Sequence, residues 1–196
     1  MSTPLDSHAL DQLFRKARTF NGFKPLPVSD ETVHALYELV KWGPTAFNSQ
    51  PSRYVFLRST EAKSRLAPAL STNNREKTVK APLNVIVAYD TRFFEHLPAL
   101  SASPKAKGLF EDNPNLVEPT LLRNGGLQAG YLVIATRSLG LDIGVMTGFN
   151  ADLVNREFFP DGRYKVNVIA NLGYGDDASV SPRAHRLPFD EVARIL

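Results

Sequence analysis

The sequence predicts a mixed α/β or α+β domain, and three segments carry that reading. A helical apolar period runs through Val33, Leu36, Tyr37 and Val40, LNVIVAY at 83–89 is an almost wholly apolar strand, and Glu118–Leu139 is a long apolar helix. Helical and extended segments mix without a regular βαβ repeat, which argues against a doubly wound nucleotide fold. A chain of 196 residues suits one substantial domain or two very small ones, and is read as a single domain over residues 1–196. Its 43% hydrophobic and 22% charged residues are the proportions of an ordinary globular protein.

In chain order, the first helix is expected from about Asp6 to Ala17, with Leu10, Leu13 and Phe14 on one face. NGFKPLPVS then interrupts regular structure with Asn21-Gly22 and two prolines. Ser29 offers an N-cap, with Asp30 and Glu31 in the first turn of a helix that stops near Gly43-Pro44. RYVFLRS at 53–59 reads as a strand, followed by helices at Glu61–Leu70 and Asn74–Lys80. The apolar run at 83–89 fits a central strand covered on both faces. Residues 91–117 hold a short helix at Phe93–Leu97 and a proline-punctuated stretch read as a candidate lid.

LQAGYLVIA, at 127–135, is apolar on nearly every side apart from Gln128, as in a buried helix. Gly125, Gly126 and Gly130 each cost about 1 kcal/mol there relative to alanine, so close approach by another helix or a bound group is expected. A short chain has little cover for such a helix, which favours a dimer; a central helix within a monomer is the alternative. Gly140, Gly144 and Gly148 mark tight backbone positions, and Asn150 caps a helix from Ala151 to Phe158. Residues 165–172 form a third strand, and the tail ends in a short amphipathic helix.

Several functions are disfavoured. A net charge of +3 is too small to indicate nucleic-acid binding. The absence of cysteine removes disulfides, thiolate nucleophiles and thiolate-ligated metals. The N-terminal segment carries no secretory pattern, and no apolar run reaches membrane-spanning length, so a cytoplasmic location is expected. His8, His34, His96 and His185 lack metal-ligand spacing, and no metal is expected. No GxGxxG, Walker A or GxSxG pattern is present.

Three polar groups remain. They are Arg18-Thr19-x-Asn21, the PTAFNSQPS run with Thr45, Asn48, Ser49 and Gln50, and Arg183-x-His185-Arg186. Arginine forks suit phosphate, and amide side chains match the edges of a heterocycle, so together they permit a phosphorylated cofactor with a polar ring. Each also fits a plainer role as a helix end, a loop or a solvated basic tail.

Taken in order, ARTFNGF at 17–23, PVSDETVHALYELVKWGPTAFNSQPSRYVFL at 27–57, LGLDIGVMTGFN at 139–150, and KVNVIANLGYGD followed by PRAHRLPF strongly resemble the FMN-dependent nitroreductase family. The resemblance is sharpest to the group containing the Rut-type malonic semialdehyde reductase, through the ARTxNG start, the KWGPT turn, the KTxxAP approach and the NxGYGD turn. It implies an α+β fold with a central, mostly antiparallel sheet flanked by helices. It also implies an intertwined homodimer with FMN in a cleft between the chains.

Carried over by position, the resemblance puts Arg18 and Thr19 at the FMN phosphate and ribityl region, with Asn21 where many relatives have a basic residue. Thr45, Ala46, Asn48 and Gln50 would lie beside the flavin, and Asn74 and Lys77 at its polar edge. Val145, Met146, Thr147 and Gly148 would face the redox side, with backbone N–H groups near N5; many relatives have glutamate at the place of Thr147. Arg186 matches a phosphate-binding arginine. Ala184 replaces a frequent basic partner, for which Arg183 compensates only if its turn brings it inward. The implied chemistry is hydride transfer from NADH or NADPH through FMN to a small organic acceptor, with malonic semialdehyde the sharper assignment and 3-hydroxypropanoate its product. A broad nitro or quinone reductase and a non-enzymatic FMN-binding module are the alternatives. A compact pocket with Arg92 or Arg123 facing the flavin would favour the acidic aldehyde; an open cleft lined by Phe93, Phe94 or Phe110 would favour aromatic acceptors.

Overall fold

The structure is a computed structural model that describes residues 3–196. Asp6 caps α1 (Ser7–Leu10), which widens into a π-helical turn over Asp11–Arg15 and ends two residues before the expected Ala17. Phe14 is exposed, while Leu10 and Leu13 are half-buried. Ser29 caps α2 (Asp30–Val40) as expected, its hydroxyl accepting the Thr32 N–H, and Leu36 and Val40 are buried. Strand β1 (Ser52–Leu57), helices α3 (Thr60–Leu66) and α4 (Thr72–Lys80), and strand β2 (Leu83–Asp90) follow.

The stretch read as a candidate lid folds into short helices around its own core. After a 3-10 turn at Phe93–His96 come α5 (Leu97–Leu100) and α6 (Ala106–Asp112), where Phe93, Leu97, Ala106 and Phe110 pack with Leu121. Helix α7 (Val117–Ser138) leads into β3 (Asp142–Met146), a strand the glycine-rich run concealed. Asn150 caps α8 (Ala151–Phe158), and β4 (Tyr164–Gly173) completes the sheet. The terminal helix α9 is only Phe189–Val192 and is exposed throughout.

The strands run in the order β1-β2-β4-β3, every pair antiparallel. Alternation along β2 divides the core. Val85 and Val87 face α2 and α7 with Leu36, Val40 and Leu132, whereas Ile86 packs on the other side with Leu66, Val154 and Ile169. The apolar run of β2 is thus covered on both faces, as its sequence requires.

Helix α7 departs from full burial. One face holds Leu121, Asn124, Gly125, Gln128, Leu132 and Ala135 against the protein, while Leu122, Gly126, Leu127 and Gly130 are exposed. Of its glycines, only Gly125 is closely approached, and by a side chain of β2 rather than by another helix or a bound group: a Cβ there would lie 2.4 Å from the Tyr89 ring, whereas nothing lies within 4 Å of one at Gly126 or Gly130.

Candidate functional site

The expected site residues fall into two groups on opposite edges of the sheet. The first surrounds β3. Residues 19–24 run along the end of the sheet, where Phe23 bridges to Gly175 and Lys24 N–H donates to Tyr174 O at 2.7 Å. Thr19 lies against β3, since a Cβ on Gly144 would sit 3.6 Å from its methyl. Arg18 donates to Ser181 O, and Asn21 reaches Ser179 O at 3.4 Å. Arg183 donates to Ala17 O at 3.1 Å, so its turn does bring it beside Arg18. Arg186 instead donates to the carbonyls of Ala184 and His185 in its own segment.

Alternation along β3 exposes Val145 (42%) and buries Met146, whose sulfur accepts the Thr78 hydroxyl at 3.5 Å. Thr147 and Gly148 then leave the strand exposed. The Asn74 amide donates to Gly148 O at 3.0 Å, and Ser71 N–H donates to the same oxygen at 3.1 Å. A Cβ on Gly148 would meet the Asn74 amide nitrogen at 2.6 Å, so any larger residue there would push that amide aside. Lys77 lies one helical turn beyond Asn74 on the same face of α4 and makes no salt bridge among the described residues. Behind the strip, burial pushes the Asp142 carboxyl above its ordinary value, although it accepts Gly175 N–H at 2.9 Å.

The second group is the loop before β1. Phe47, Asn48 and Gln50 have φ of 57°, 53° and 41°. Non-glycine residues in this left-handed region cost about 1–2 kcal/mol each, a strain that persists only where surroundings enforce it. Thr45 Oγ1 accepts Gln50 N–H at 3.1 Å, Gln50 donates to Asn48 Oδ1 at 3.0 Å, and Asn48 donates to Leu100 O at 3.0 Å. Ala46 N–H donates to Asn124 Oδ1 at 2.8 Å. Neither Asn124 nor the Ser71 backbone was singled out from sequence; an amide in an otherwise apolar helix was the available signal.

β1 and β3 are separated by three interstrand steps, roughly 14 Å at about 4.8 Å per step. A cavity of about 600 Å³ opens beside β1 between Tyr37, Gln50, Arg53, Tyr54, His96 and Gln128; of the expected site residues it touches Gln50 alone.

Of the residues proposed to choose between acceptors, two of the aromatic ones are not disposed as expected. Phe93 and Phe110 are buried and cannot line an open cleft, since their rings pack 4.9 Å apart within the core of residues 93–121. Phe94 stacks on Phe110, and Phe47 meets Phe110 edge-on. Arg92 is exposed and pairs with Glu95 at 3.7 Å, and Arg123 is exposed on α7.

The profile of the nitroreductase family matches residues 15–174. A protein of Ralstonia nicotianae, provisionally named an NADH dehydrogenase/NAD(P)H nitroreductase, is 53% identical over 192 residues, 98% of each chain. A similarly named protein of Stenotrophomonas maltophilia is 51% identical over 195 residues, covering all of both chains. In the fold, a crystal structure from Exiguobacterium sibiricum, described as a nitroreductase in complex with FMN, superposes with a TM-score of 0.85 at 20% identity over the whole of both chains. With the sequence match spanning most of its length and the antiparallel α+β architecture in agreement, this chain belongs to the nitroreductase family.

Proposed function

We propose that this chain is an FMN-dependent oxidoreductase that carries hydride from NADH or NADPH to a small organic acceptor. It does so in the cytoplasm, where these donors are made, as a homodimer in which residues 1–196 form one flavin-binding domain. The observation that carries the reading is that Thr19 and Asn74 both lie against β3, whose edge exposes Val145, Thr147 and Gly148, with Arg18 next to Thr19 in the chain. The donor set fits FMN: guanidinium groups suit a phosphate, amide and hydroxyl groups suit a polar ring, and Gly148 lets the Asn74 amide close on the exit of β3. The names of the Ralstonia and Stenotrophomonas relatives support the NAD(P)H-linked activity, and the FMN in the Exiguobacterium structure supports the cofactor.

FMN, when bound, supplies the two-electron chemistry, which requires no side-chain nucleophile from this chain. Arg18 and Arg183, joined through the Ala17–Thr19 segment, would neutralise the phosphate, a task Asn21 cannot share by charge. Arg186 would join them only by leaving the carbonyls of its own turn. Lys77 would hold negative charge at the polar edge of the ring, beside the amide of Asn74. The backbone N–H groups of Thr147 and Gly148 would orient the redox side, without the carboxylate that many relatives place there.

The loop carrying Thr45, Ala46, Asn48 and Gln50 lies too far across the sheet to serve the same strip in one chain. A second copy delivering its own loop to the β3 edge would complete the site. The exposed stripe of Leu122, Gly126, Leu127 and Gly130 on α7, together with Trp42 at 79% exposure, supports such an association.

The acceptor is proposed to be malonic semialdehyde, reduced to 3-hydroxypropanoate, on the sequence motifs shared with that group. A broad nitro or quinone reductase is the second reading, favoured by the names of the relatives. Anaerobic stopped-flow reduction by NADH or NADPH, then reoxidation with malonic semialdehyde and a nitroaromatic in parallel, separates them. Rapid reoxidation by the aldehyde is expected, and turnover of the nitroaromatic alone would refute the aldehyde assignment. Bound FMN that neither donor reduces would indicate a non-enzymatic binding module.

A further inference from the structure

Three non-glycine residues of the loop before β1 stand at positive φ, and its grip comes largely from one face of α7. Asn124 Oδ1 accepts the Ala46 N–H at 2.8 Å, and Gln128 Oε1 accepts the Ser52 N–H at 2.8 Å. The Tyr131 hydroxyl donates to Pro44 O at 2.8 Å. Spacings of four and three residues place the three side chains in a row along the helix. Their bonds hold the loop at its entrance, at its first strained turn and at its exit.

The row is itself locked. The Asn124 amide donates to Thr120 O at 2.8 Å, which fixes its oxygen toward Ala46. Asn124 and Gln128 are both buried, at 3% and 4% exposure, although Gln128 also borders the cavity beside β1. Two glycines allow the seating. A Cβ on Gly43 would lie 1.9 Å from the Tyr131 ring, and one on Gly125 would lie 2.4 Å from that of Tyr89. The row occupies the face of α7 roughly opposite the exposed stripe at Leu122, Gly126 and Gly130.

We infer that Asn124, Gln128 and Tyr131 are positioning residues that hold the 44–52 loop in its left-handed form and so preset Thr45, Asn48 and Gln50 for flavin. The inference rests on the flavin reading of this loop. In the proposed dimer, α7 of one copy thereby sets the affinity of the site it completes in the other.

The test uses the full-length chain with Asn124→Leu and Gln128→Met combined, each side chain keeping its bulk without its acceptor. Without flavin, amide hydrogen exchange over residues 45–52 should quicken roughly tenfold or more while β2 and β4 keep wild-type protection. FMN should bind at least about tenfold more weakly, and Gln128→Glu alone, which retains an acceptor oxygen, should bind FMN with nearly wild-type affinity. The control is Leu132→Val, which loosens the core beneath the same helix without touching the loop and should change neither readout. Unchanged loop exchange in the double variant, or an equal loss of FMN affinity in Leu132→Val, overturns the inference. A wild-type chain that fails to bind FMN refutes the flavin reading instead, and loop exchange then decides the positioning role alone.

Discussion

Asp90 and Arg163 meet through two hydrogen bonds of 3.1 Å at the end of β2, one guanidinium nitrogen to each carboxylate oxygen. Asp90 is fully buried, and Arg53 closes on Oδ2 at 2.8 Å while Arg92 N–H donates to Oδ1 at 3.0 Å. The cluster ties the start of β1, and the residue just before β4, to the end of the strand between them. It also anchors the exit of the 44–52 loop, because Arg53 donates to Gln50 O at 2.9 Å.

Burial pushes the Asp90 carboxyl up, but the Arg163 hydrogen bonds, the Arg92 N–H and the two arginine charges outweigh it and hold the group below its ordinary value. Its contribution to stability is therefore present above the unfolded-state value of about 3.9 and lost as pH falls through the lower folded-state value. Asp90→Asn should cost about 2–3 kcal/mol at pH 7, less than a fully buried pair because both arginines reach solvent. Denaturant unfolding from pH 7 to pH 3 should show a shallower acid loss in the variant than in the wild type.

Gly148→Ala drives a methyl onto the Asn74 amide, which holds the Gly148 carbonyl. FMN affinity should fall by about tenfold or more, the equivalent of one or two lost hydrogen bonds. Thermal stability should change little, because Gly148 is exposed at a strand exit. Flavin titration beside a melting curve measures both; a large loss of stability with normal binding would contradict this placement.

Asn150 Oδ1 accepts Leu153 N–H at 3.0 Å, and Ser29 Oγ accepts Thr32 N–H at 3.2 Å. Alanine at either cap should cost about 1 kcal/mol. Asn150→Ala keeps the backbone N–H that holds the exit of β3 through Ala69 O at 2.7 Å, so it should lower stability without a large loss of FMN binding. Ser29→Ala should leave binding unchanged. Chemical denaturation and flavin titration of both variants make the comparison.

The split of the site across the sheet predicts complementation between defective chains. A chain with Arg18→Glu and Lys77→Glu should bind no FMN, and neither should one with Thr45→Ala, Asn48→Ala and Gln50→Ala. Mixed, unfolded and refolded together, they should regain binding, because each hybrid dimer assembles one intact site. Sedimentation should give twice the 21.7 kDa chain mass for every species. No recovery in verified hybrid dimers would refute shared sites.

Much of the framework was legible because local chemistry and global packing agree in it. Ser29 and Asn150 announced their helices as caps, and the unbroken apolar run of β2 announced a strand covered on both sides. Strand β3 was hidden because Gly144 and the short DIGVM run carry little strand signal; its pairing with β4 comes from tertiary contact. The Gly148 carbonyl and the Asn74 amide meet 74 positions apart in sequence, a proximity no local pattern encodes. Positive φ at Phe47, Asn48 and Gln50 was equally invisible, since none is glycine and the row that imposes it sits on α7. The apolar face of α7 stands uncovered in a single chain, because apolar composition tells that a surface needs cover, not which chain supplies it.

The most direct measurement is titration of the flavin-free protein with FMN, followed under anaerobic conditions by addition of NADH or NADPH. One FMN per chain should bind, and its visible absorbance should bleach on mixing with at least one of the two donors. A folded protein that takes up no FMN would contradict the central claim.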